Sequence, residues 1–188
     1  MNKVYAYSLI AVLWLCATPF AAAQPAIIPQ PQSYVEKIGT FQFNRHTQFY
    51  SNAPAEELSS LTDALADWKL VEKPSLPTSN AVCLIVKPKV DGVDSPEGYS
   101  LTVTHDRITA QATSADGLFY AVQTLRQLRN GREIRQCIVT DSPRLPYRGL
   151  MIDVSRHFFP KEFLLKQLDA MAHFKLNRLH LHLTDAAG

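Results

Sequence analysis

The sequence has almost no net charge, no internal repeat and no low-complexity tract. Its 188 residues carry 19 Lys and Arg against 17 Asp and Glu, a formal charge of +2, which gives no support for nucleic-acid binding. No apolar run approaches the roughly 20 residues that a membrane-spanning helix needs. A hydrophobic share of 46% and a charged share of 19% are typical of a packed globular protein. We therefore expect neither nucleic acid nor a membrane span.

The beginning of the chain has the features of a secretory signal peptide. Lys3 precedes an apolar run at residues 9–16, and three alanines at 21–23 supply the small residues of a cleavage site. Cys16 raises the alternative of lipoprotein processing, but the residues before it are bulky for that cleavage. We expect a signal peptide at 1–23, cleavage after Ala23, and export to the periplasm or the cell exterior.

Two cysteines, Cys83 and Cys137, remain after that cleavage. An exported protein can oxidise such a pair to a disulfide. The sequence does not show whether the two Cα atoms come close enough to pair, so the paired and the free states both stay open.

Residues 24–142 are predicted to form one α+β domain. The spacing of their apolar residues predicts, in chain order, a strand at 41–43, a helix at 55–68, a strand at 82–86, a hairpin at 99–112 and a helix at 118–128. A length of about 120 residues is enough for an independent core. The polar residues of this domain show no chemical constellation.

The end of the chain is its most informative part. Residues 149–154 form a short apolar run that predicts a buried strand. Pro160 suits the first turn of a helix, apolar residues then recur at helical spacing, and Asn177 is the predicted left-handed stop. Alternation at 179–184 predicts a second strand. A strand, a helix and a strand in this order favour parallel pairing through a right-handed crossover.

Polar side chains follow both of these strands. Asp153, Arg156 and His157 lie at the end of the first strand, and Asp185 lies just past the second. Active sites of α/β barrels and doubly wound sheets are built at such carboxyl ends. Each residue also has a purely structural interpretation, because Asp153 can cap a turn, Arg156 can be a surface charge and His157 can be a packed histidine.

His180 and His182 lie on one face of the second predicted strand. Two imidazoles in this arrangement can bind a metal ion, so a metal-dependent barrel hydrolase is one alternative function. Because two ligands do not make a site and no third is in view, core or supporting histidines are the preferred interpretation, with no metal.

These residues closely resemble a known family. The segment RGLMIDVSRHFFP at 148–160, LDAMA at 168–172, KLN at 175–177 and HLHLTD at 180–185 are similar to the opening of the catalytic barrel in glycoside hydrolase family 20, the β-N-acetylhexosaminidases. One departure is that Ala186 and Ala187 stand where many members have a second acidic or amide residue. This departure affects details of the loop, not the assignment of Asp185.

The resemblance implies an α/β fold in which a small α+β amino-terminal domain precedes a TIM-type (β/α)8 barrel. The domains are then 24–142, which is non-catalytic and packs against the barrel, and 143–188, which is the start of the barrel. A complete barrel needs about 250 residues, so we expect the barrel to be incomplete in this chain and the chain to be the front part of a longer enzyme.

The resemblance also implies roles for individual residues. Arg156 would hydrogen-bond hydroxyl groups of the sugar, which suits a planar guanidinium with several fixed donors. A supporting network would contain Asp185 and His182, together with Asp153 and His157. The substrate would be a glycan or chitooligosaccharide that ends in β-linked N-acetylglucosamine or N-acetylgalactosamine, and no cofactor is implied.

In this family the 2-acetamido oxygen of the sugar attacks the anomeric carbon, while an adjacent Asp-Glu pair on a later strand orients it and protonates the leaving group. No adjacent Asp-Glu pair occurs in the 188 residues. We therefore expect no catalytic residue within this chain and no hydrolysis by it alone. A non-catalytic carbohydrate-binding fragment is the remaining alternative.

Overall fold

The computed structural model describes residues 26–185, which form two sheets and three α-helices. The strands of the larger sheet are β1 (Ser33–Gln42), β2 (Gln48–Ser51), β3 (Val71–Glu72), β4 (Ala81–Val86), β5 (Tyr99–Val103), β6 (Arg107–Ala112) and β7 (Glu133–Asp141). The smaller sheet contains β8 (Gly149–Asp153) and β9 (Arg178–His182). The helices are α1 (Ala55–Asp63), α2 (Ala115–Leu128) and α3 (Lys161–His173). The predicted signal peptide lies outside the described residues.

The larger sheet is mixed, with strand order β1-β7-β5-β6-β4-β2-β3. The pairs from β1 to β6 are antiparallel, and the pairs from β6 to β3 are parallel. Residues on β5 and β6 alternate between buried and half-buried, because successive side chains of a strand point to opposite faces. The buried set meets the apolar face of α2 in one core. The predicted hairpin and second helix are thereby confirmed.

Helix α2 approaches the hairpin very closely at Gly117. The hydroxyl of Ser114 caps the helix by accepting from the Gly117 N–H at 3.3 Å, and it donates to the Pro96 carbonyl at 2.7 Å. A Cβ at Gly117 would overlap the backbone oxygen of Gly98 and crowd the Ala112 side chain. Glycine is therefore required here for packing and not for an unusual backbone angle.

The helix predicted over 55–68 was wrong in its second half. Helix α1 ends at Asp63, and Ala66–Trp68 form a separate 3₁₀ turn. The tighter turn places the Trp68 ring in the core, where it packs edge-on against Phe43 at 4.9 Å. Burial of this aromatic surface favours the break over a continued helix.

The predicted order of strand, helix and strand at the end of the chain is confirmed, but the first strand is not buried as predicted. Of the five residues of β8, Ile152 alone is buried, and Met151 is exposed. Strands β8 and β9 are parallel, with Asp153 opposite His182, and α3 connects them. Pro160 is the residue before the helix, with φ −67° and ψ 155°, and not part of its first turn. The left-handed residue after α3 is Lys175, with φ +59°, and not Asn177.

Asn177 is instead engaged through its side chain. Its Oδ1 accepts from the Arg148 backbone N–H at 3.0 Å, and its Nδ2 donates to Glu97 at 3.0 Å and to the Pro146 carbonyl at 2.9 Å. These three hydrogen bonds fix the residue at the start of β9. The local preference of asparagine for the left-handed region therefore gives way to tertiary hydrogen bonding.

The two sheets meet at a junction cluster of Glu97, Asp141, Arg148, Lys175 and Asn177. Both oxygens of Glu97 accept from the Arg148 guanidinium, at 3.0 and 3.1 Å, and one also accepts from Asn177. Arg148 directly precedes β8 and Asn177 directly precedes β9. We call residues 26–142, which contain the larger sheet, the front domain. One carboxylate of the front domain thus holds the amino ends of both β8 and β9.

Lys175 forms the second half of the junction cluster. Its ammonium donates to Asp141 and to the Tyr99 hydroxyl, both at 2.8 Å, and the Lys175 and Asp141 side chains are only 7% and 14% exposed. Burial lowers the pKa of Lys175, and Asp141 partly opposes this shift. Removal of either partner from so buried a charged pair would destabilise the fold, because the other charge would stay buried without compensation.

Cys83 and Cys137 are both free and buried. They lie on β4 and β7, which β6 and β5 separate. Three strand spacings amount to about 14 Å, whereas a disulfide needs Cα atoms within about 7 Å. The open question of pairing is thus answered by the order of the strands.

None of the helices in residues 26–185 has the length and apolar character of a membrane span.

Candidate functional site

Four of the predicted site residues come together at the carboxyl ends of β8 and β9. Asp153 and His182 are the last residues of the two strands and lie opposite each other in the parallel register. Arg156 and Asp185 follow these strands, and their side chains meet. The parallel pairing of two strands that α3 connects is what places all four residues at one edge of the sheet.

Asp153 contacts two backbone N–H groups and two side chains. Its Oδ1 accepts from the backbone N–H groups of Ser155 at 3.1 Å and Arg156 at 3.0 Å. Its Oδ2 lies 3.3 Å from Arg156 Nη1 and 3.3 Å from His182 Nδ1. The hydrogen bond from the Arg156 N–H is the main cause that holds the pKa of Asp153 below its usual value, and His182 and Ser155 add to it. Asp153 is therefore ionised at neutral pH.

Arg156 is held from two sides while its side chain stays 67% exposed. Besides its contact with Asp153, its Nε donates to Asp185 Oδ2 at 2.7 Å. These contacts involve Nε and Nη1, whereas a guanidinium has five N–H donors in a fixed plane. The arrangement presents a pre-oriented group of donors to solvent, which suits a ligand rich in hydroxyl oxygens.

His157, the fifth predicted residue, packs elsewhere. Its ring lies edge-on to Phe159 with centroids 4.8 Å apart, and Phe159 stacks on Phe163 at 4.6 Å. The Phe159–Phe163 stack ties the loop to the first turn of α3. A supporting role for His157 in the site stays a prediction.

The histidine pair does not form a metal centre in the described part of the chain. His180 is exposed and lies opposite Met151, while His182 contacts Asp153. Among residues 26–185, no group of three or more His, Cys, Asp and Glu side chains could hold a metal ion. The metal-dependent alternative therefore gains no support from this part of the structure.

The sequence interpretation missed the residues that hold the amino ends of β8 and β9. Glu97 binds Arg148 and Asn177, which are 51 and 80 positions away, so no local pattern reveals the contacts. The only available signal was the Pro-Glu-Gly turn at 96–98, which by itself indicates a loop.

Comparison with known proteins identifies the family. Residues 24–142 match glycosyl hydrolase family 20, domain 2, and residues 145–188 match the catalytic domain of the same family. The chain belongs to glycoside hydrolase family 20. The fold prediction is thereby confirmed. The chain consists of an α+β domain followed by the first strand, helix and second strand of a TIM-type barrel.

Family 20 relatives extend well beyond this chain. A beta-hexosaminidase of Akkermansia muciniphila is 38% identical over 136 residues, which cover 67% of this chain and 27% of the relative. A beta-hexosaminidase of Vibrio vulnificus is 33% identical over 170 residues, covering 89% of this chain and 19% of the relative. The chain thus spans about a quarter or less of the length of these two relatives.

A solved family 20 structure resembles this chain over most of its length. A GH20 exo beta-N-acetylglucosaminidase from Vibrio harveyi, solved in complex with N-acetylglucosamine, superposes with a TM-score of 0.74 at 28% identity. The match covers 89% of this chain and 26% of that one. Both the front domain and the start of the barrel are therefore shared.

Proposed function

We propose that this chain supplies the sugar-binding arginine of an exo-acting β-N-acetylhexosaminidase. The reaction is removal of terminal, non-reducing N-acetylglucosamine or N-acetylgalactosamine from a glycan or chitooligosaccharide, with retention of configuration. The relatives named beta-hexosaminidase and the N-acetylglucosamine complex support this substrate class. The observation that carries the proposal is Arg156, exposed yet held by Asp153 and Asp185 at the strand ends.

In this proposal the chain binds and orients the sugar. The nucleophile in family 20 is the acetamido oxygen of the substrate, so the protein must hold the sugar while a carboxylic acid protonates the leaving oxygen. Asp153 and Asp185 are both engaged with Arg156, and neither is part of an adjacent Asp-Glu pair. The chain alone therefore binds the sugar without cleaving the glycosidic bond. Release of chromophore from a chromogenic β-N-acetylglucosaminide by the chain alone would contradict this.

The binding part of the proposal can be tested by NMR on the 188-residue chain. Addition of N-acetylglucosamine should shift the Arg156 Nε–H signal and the backbone amide signals of the loop after β8 in a saturable way, whereas glycerol, an acyclic polyol, should not. The backbone amide signals give the affinity in every variant. Arg156→Ala should weaken binding at least about tenfold, because hydrogen bonds to charged groups are worth about 1.5–3 kcal/mol.

Arg178→Ala is the matched control for this experiment. Arg178 is an exposed arginine at the amino end of β9, where it donates to the Asn177 carbonyl. Its loss should leave the titration unchanged. Saturable binding of equal strength by Arg156→Ala, or none by the unaltered chain, would overturn the proposal.

We also propose that the protein is exported. Lys3, the apolar run at 9–16 and the alanines at 21–23 support this. Mass spectrometry of the chain recovered after expression in a bacterium with an outer membrane should show Gln24 as the first residue, in the periplasm or medium. An intact Met1 in the cytoplasmic fraction would contradict it.

A further inference from the structure

We propose that Asp153 is a positioning residue that fixes both the direction of the Arg156 guanidinium and the tautomer of His182. The proposal rests on the proposed sugar-binding function of Arg156 and deepens it, because it gives the site an acceptor beside its donors. It concerns one carboxylate at the end of β8 and its neighbours on both strands.

The two oxygens of Asp153 have separate tasks. Oδ1 accepts from the N–H groups of Ser155 and Arg156, which fixes the turn that follows β8. Oδ2 contacts Arg156 Nη1 and His182 Nδ1, which fixes two side chains. Two hydrogen bonds at Oδ1 and two ion-pair contacts at Oδ2 thus surround the carboxylate on both oxygens. Asp153 consequently orients the groups that meet a ligand and does not bind the ligand itself.

The contact with His182 determines which ring nitrogen carries the hydrogen. An ionised carboxylate only accepts, so a hydrogen on Nδ1 is favoured over a lone pair, which would be repelled by Asp153 Oδ2 at 3.3 Å. In neutral imidazole the other nitrogen, Nε2, then carries a lone pair and is an acceptor. The His182 side chain is 32% exposed, which leaves its ring within reach of solvent.

The result is a donor and an acceptor on neighbouring strand ends. Arg156 can only donate, whereas Nε2 of His182 in this tautomer can accept. A sugar hydroxyl both donates and accepts, so this combination suits a pyranose ring better than a fully deprotonated anion such as sulfate, which has no hydrogen to give to Nε2. Asp153 thereby selects for the hydroxyl-bearing face of the substrate.

Asp153→Asn is the most direct test, because asparagine keeps the shape of the side chain. Its carbonyl oxygen can still accept from Ser155 and Arg156, so the turn is retained. Its NH₂ group, facing His182 Nδ1, would now donate to that nitrogen. The tautomer should therefore reverse, from hydrogen on Nδ1 in the unaltered chain to hydrogen on Nε2 in the variant, as read from ¹⁵N shifts of His182 above the pH at which histidine is charged.

The second readout is the N-acetylglucosamine titration. Affinity should fall about tenfold in Asp153→Asn, because Nε2 of His182 then carries a hydrogen and a sugar hydroxyl loses its acceptor there. Asp169→Asn, the same change at an exposed position of α3, should alter neither the tautomer nor the affinity. An unchanged tautomer in Asp153→Asn, or unchanged affinity where the unaltered chain binds, would overturn the positioning role.

Two further variants decide the matter should Asp153→Asn fail to fold. His182→Gln reaches the place of Nε2 with a carbonyl acceptor, whereas His182→Asn offers an NH₂ near the place of Nδ1 and no acceptor beyond it. Sugar affinity should be higher in His182→Gln than in His182→Asn, and the opposite order would refute the acceptor role. Where the unaltered chain binds no sugar, the proposed function fails, and the tautomer alone then decides the role of Asp153.

Discussion

Arg156 is exposed and nevertheless has little freedom to move. An unpaired arginine on a surface loses rotamer entropy when it binds a ligand, at a cost of about 0.5–1.5 kcal/mol. Here the carboxylates of Asp153 and Asp185 restrict the guanidinium before any ligand arrives. The residue is therefore pre-organised for binding, which distinguishes it from a simple surface charge.

At the scale of single residues, we predict that both buried thiols are unreactive in the folded protein. Burial raises the pKa of Cys137 to about 12 and also raises the pKa of Cys83, so neither forms the reactive thiolate at neutral pH. Iodoacetamide should label peptides containing Cys83 and Cys137 only after unfolding, as measured by mass spectrometry. A peptide linking the two residues in a non-reducing digest would contradict the strand order.

At the scale of elements, the front domain depends on the close approach of α2 to its hairpin. Ser114 caps the helix and at the same time binds the Pro96 carbonyl, so the start of the helix and the loop before β5 are fixed together. Gly117 then brings the helix backbone against the Gly98 carbonyl, with no side chain between them. The junction cluster begins at Glu97, in that same loop.

We predict that Gly117→Ala destabilises the front domain by about 1–3 kcal/mol, the usual cost of forcing an extra methyl group into a packed interior. The added Cβ would overlap the Gly98 oxygen, which belongs to the backbone and cannot rotate away. Urea unfolding followed by circular dichroism measures the change. Asp116→Ala, at the neighbouring exposed position, should cost less than about 1 kcal/mol, and equal midpoints for the two variants would contradict the packing argument.

Elements with an unbroken period were predictable from the sequence. The β5–β6 hairpin, α2, α3 and β9 all show the period of their own secondary structure over several residues, and β8 was indicated by a short apolar run. In the site, the spacing of Asp153 and Arg156 and the position of Asp185 past the second strand were enough to predict that the three residues lie together. The predicted parallel pairing of the two strands placed their carboxyl ends, and therefore these residues, at the same edge of the sheet.

Strand β7 was not predicted, and its burial pattern shows why. Ile134 and Cys137 are both buried although three positions separate them, so strict alternation fails between them. The register with β1 shifts in the same region, where three residues of β1 between Glu36 and Thr40 face a single residue of β7, so the strand pair is irregular there. Strand β3 has only two residues, which is too short for any period to be seen.

At the scale of the whole molecule, the front domain holds the barrel strands at their amino ends, while the candidate site lies at their carboxyl ends. Glu97 contacts Arg148 and Asn177, and Asp141 contacts Lys175. The strands between these two ends are short, with five residues each. The front domain therefore anchors the two strands whose opposite ends carry the candidate site.

We predict that the junction makes the molecule sensitive to acid through Glu97. Burial alone would raise the pKa of Glu97, but hydrogen bonds from Arg148 and Asn177 outweigh burial and lower it. The stabilisation is therefore complete above the ordinary glutamate pKa of about 4.3 and is lost as the pH falls through the lower folded value. The free energy of unfolding in urea, measured from about pH 6 down to about pH 3, should fall less in Glu97→Gln than in the unaltered chain.

Glu72→Gln is the control for this acid titration, because Glu72 is exposed on β3. Its pH dependence should match that of the unaltered chain. Parallel curves for Glu97→Gln and the unaltered chain would show that the junction carboxylate does not control acid stability.

Lys175 is constrained in opposite ways by its backbone and by its side-chain contacts. Its left-handed backbone, φ +59°, favours glycine by about 1–2 kcal/mol, yet glycine would leave Asp141 as a buried, uncompensated charge at a cost of about 3–5 kcal/mol. The residue that the backbone prefers is thus the one that the side-chain environment forbids. A lineage that replaces this lysine must replace its aspartate as well, so the two positions should vary together or not at all.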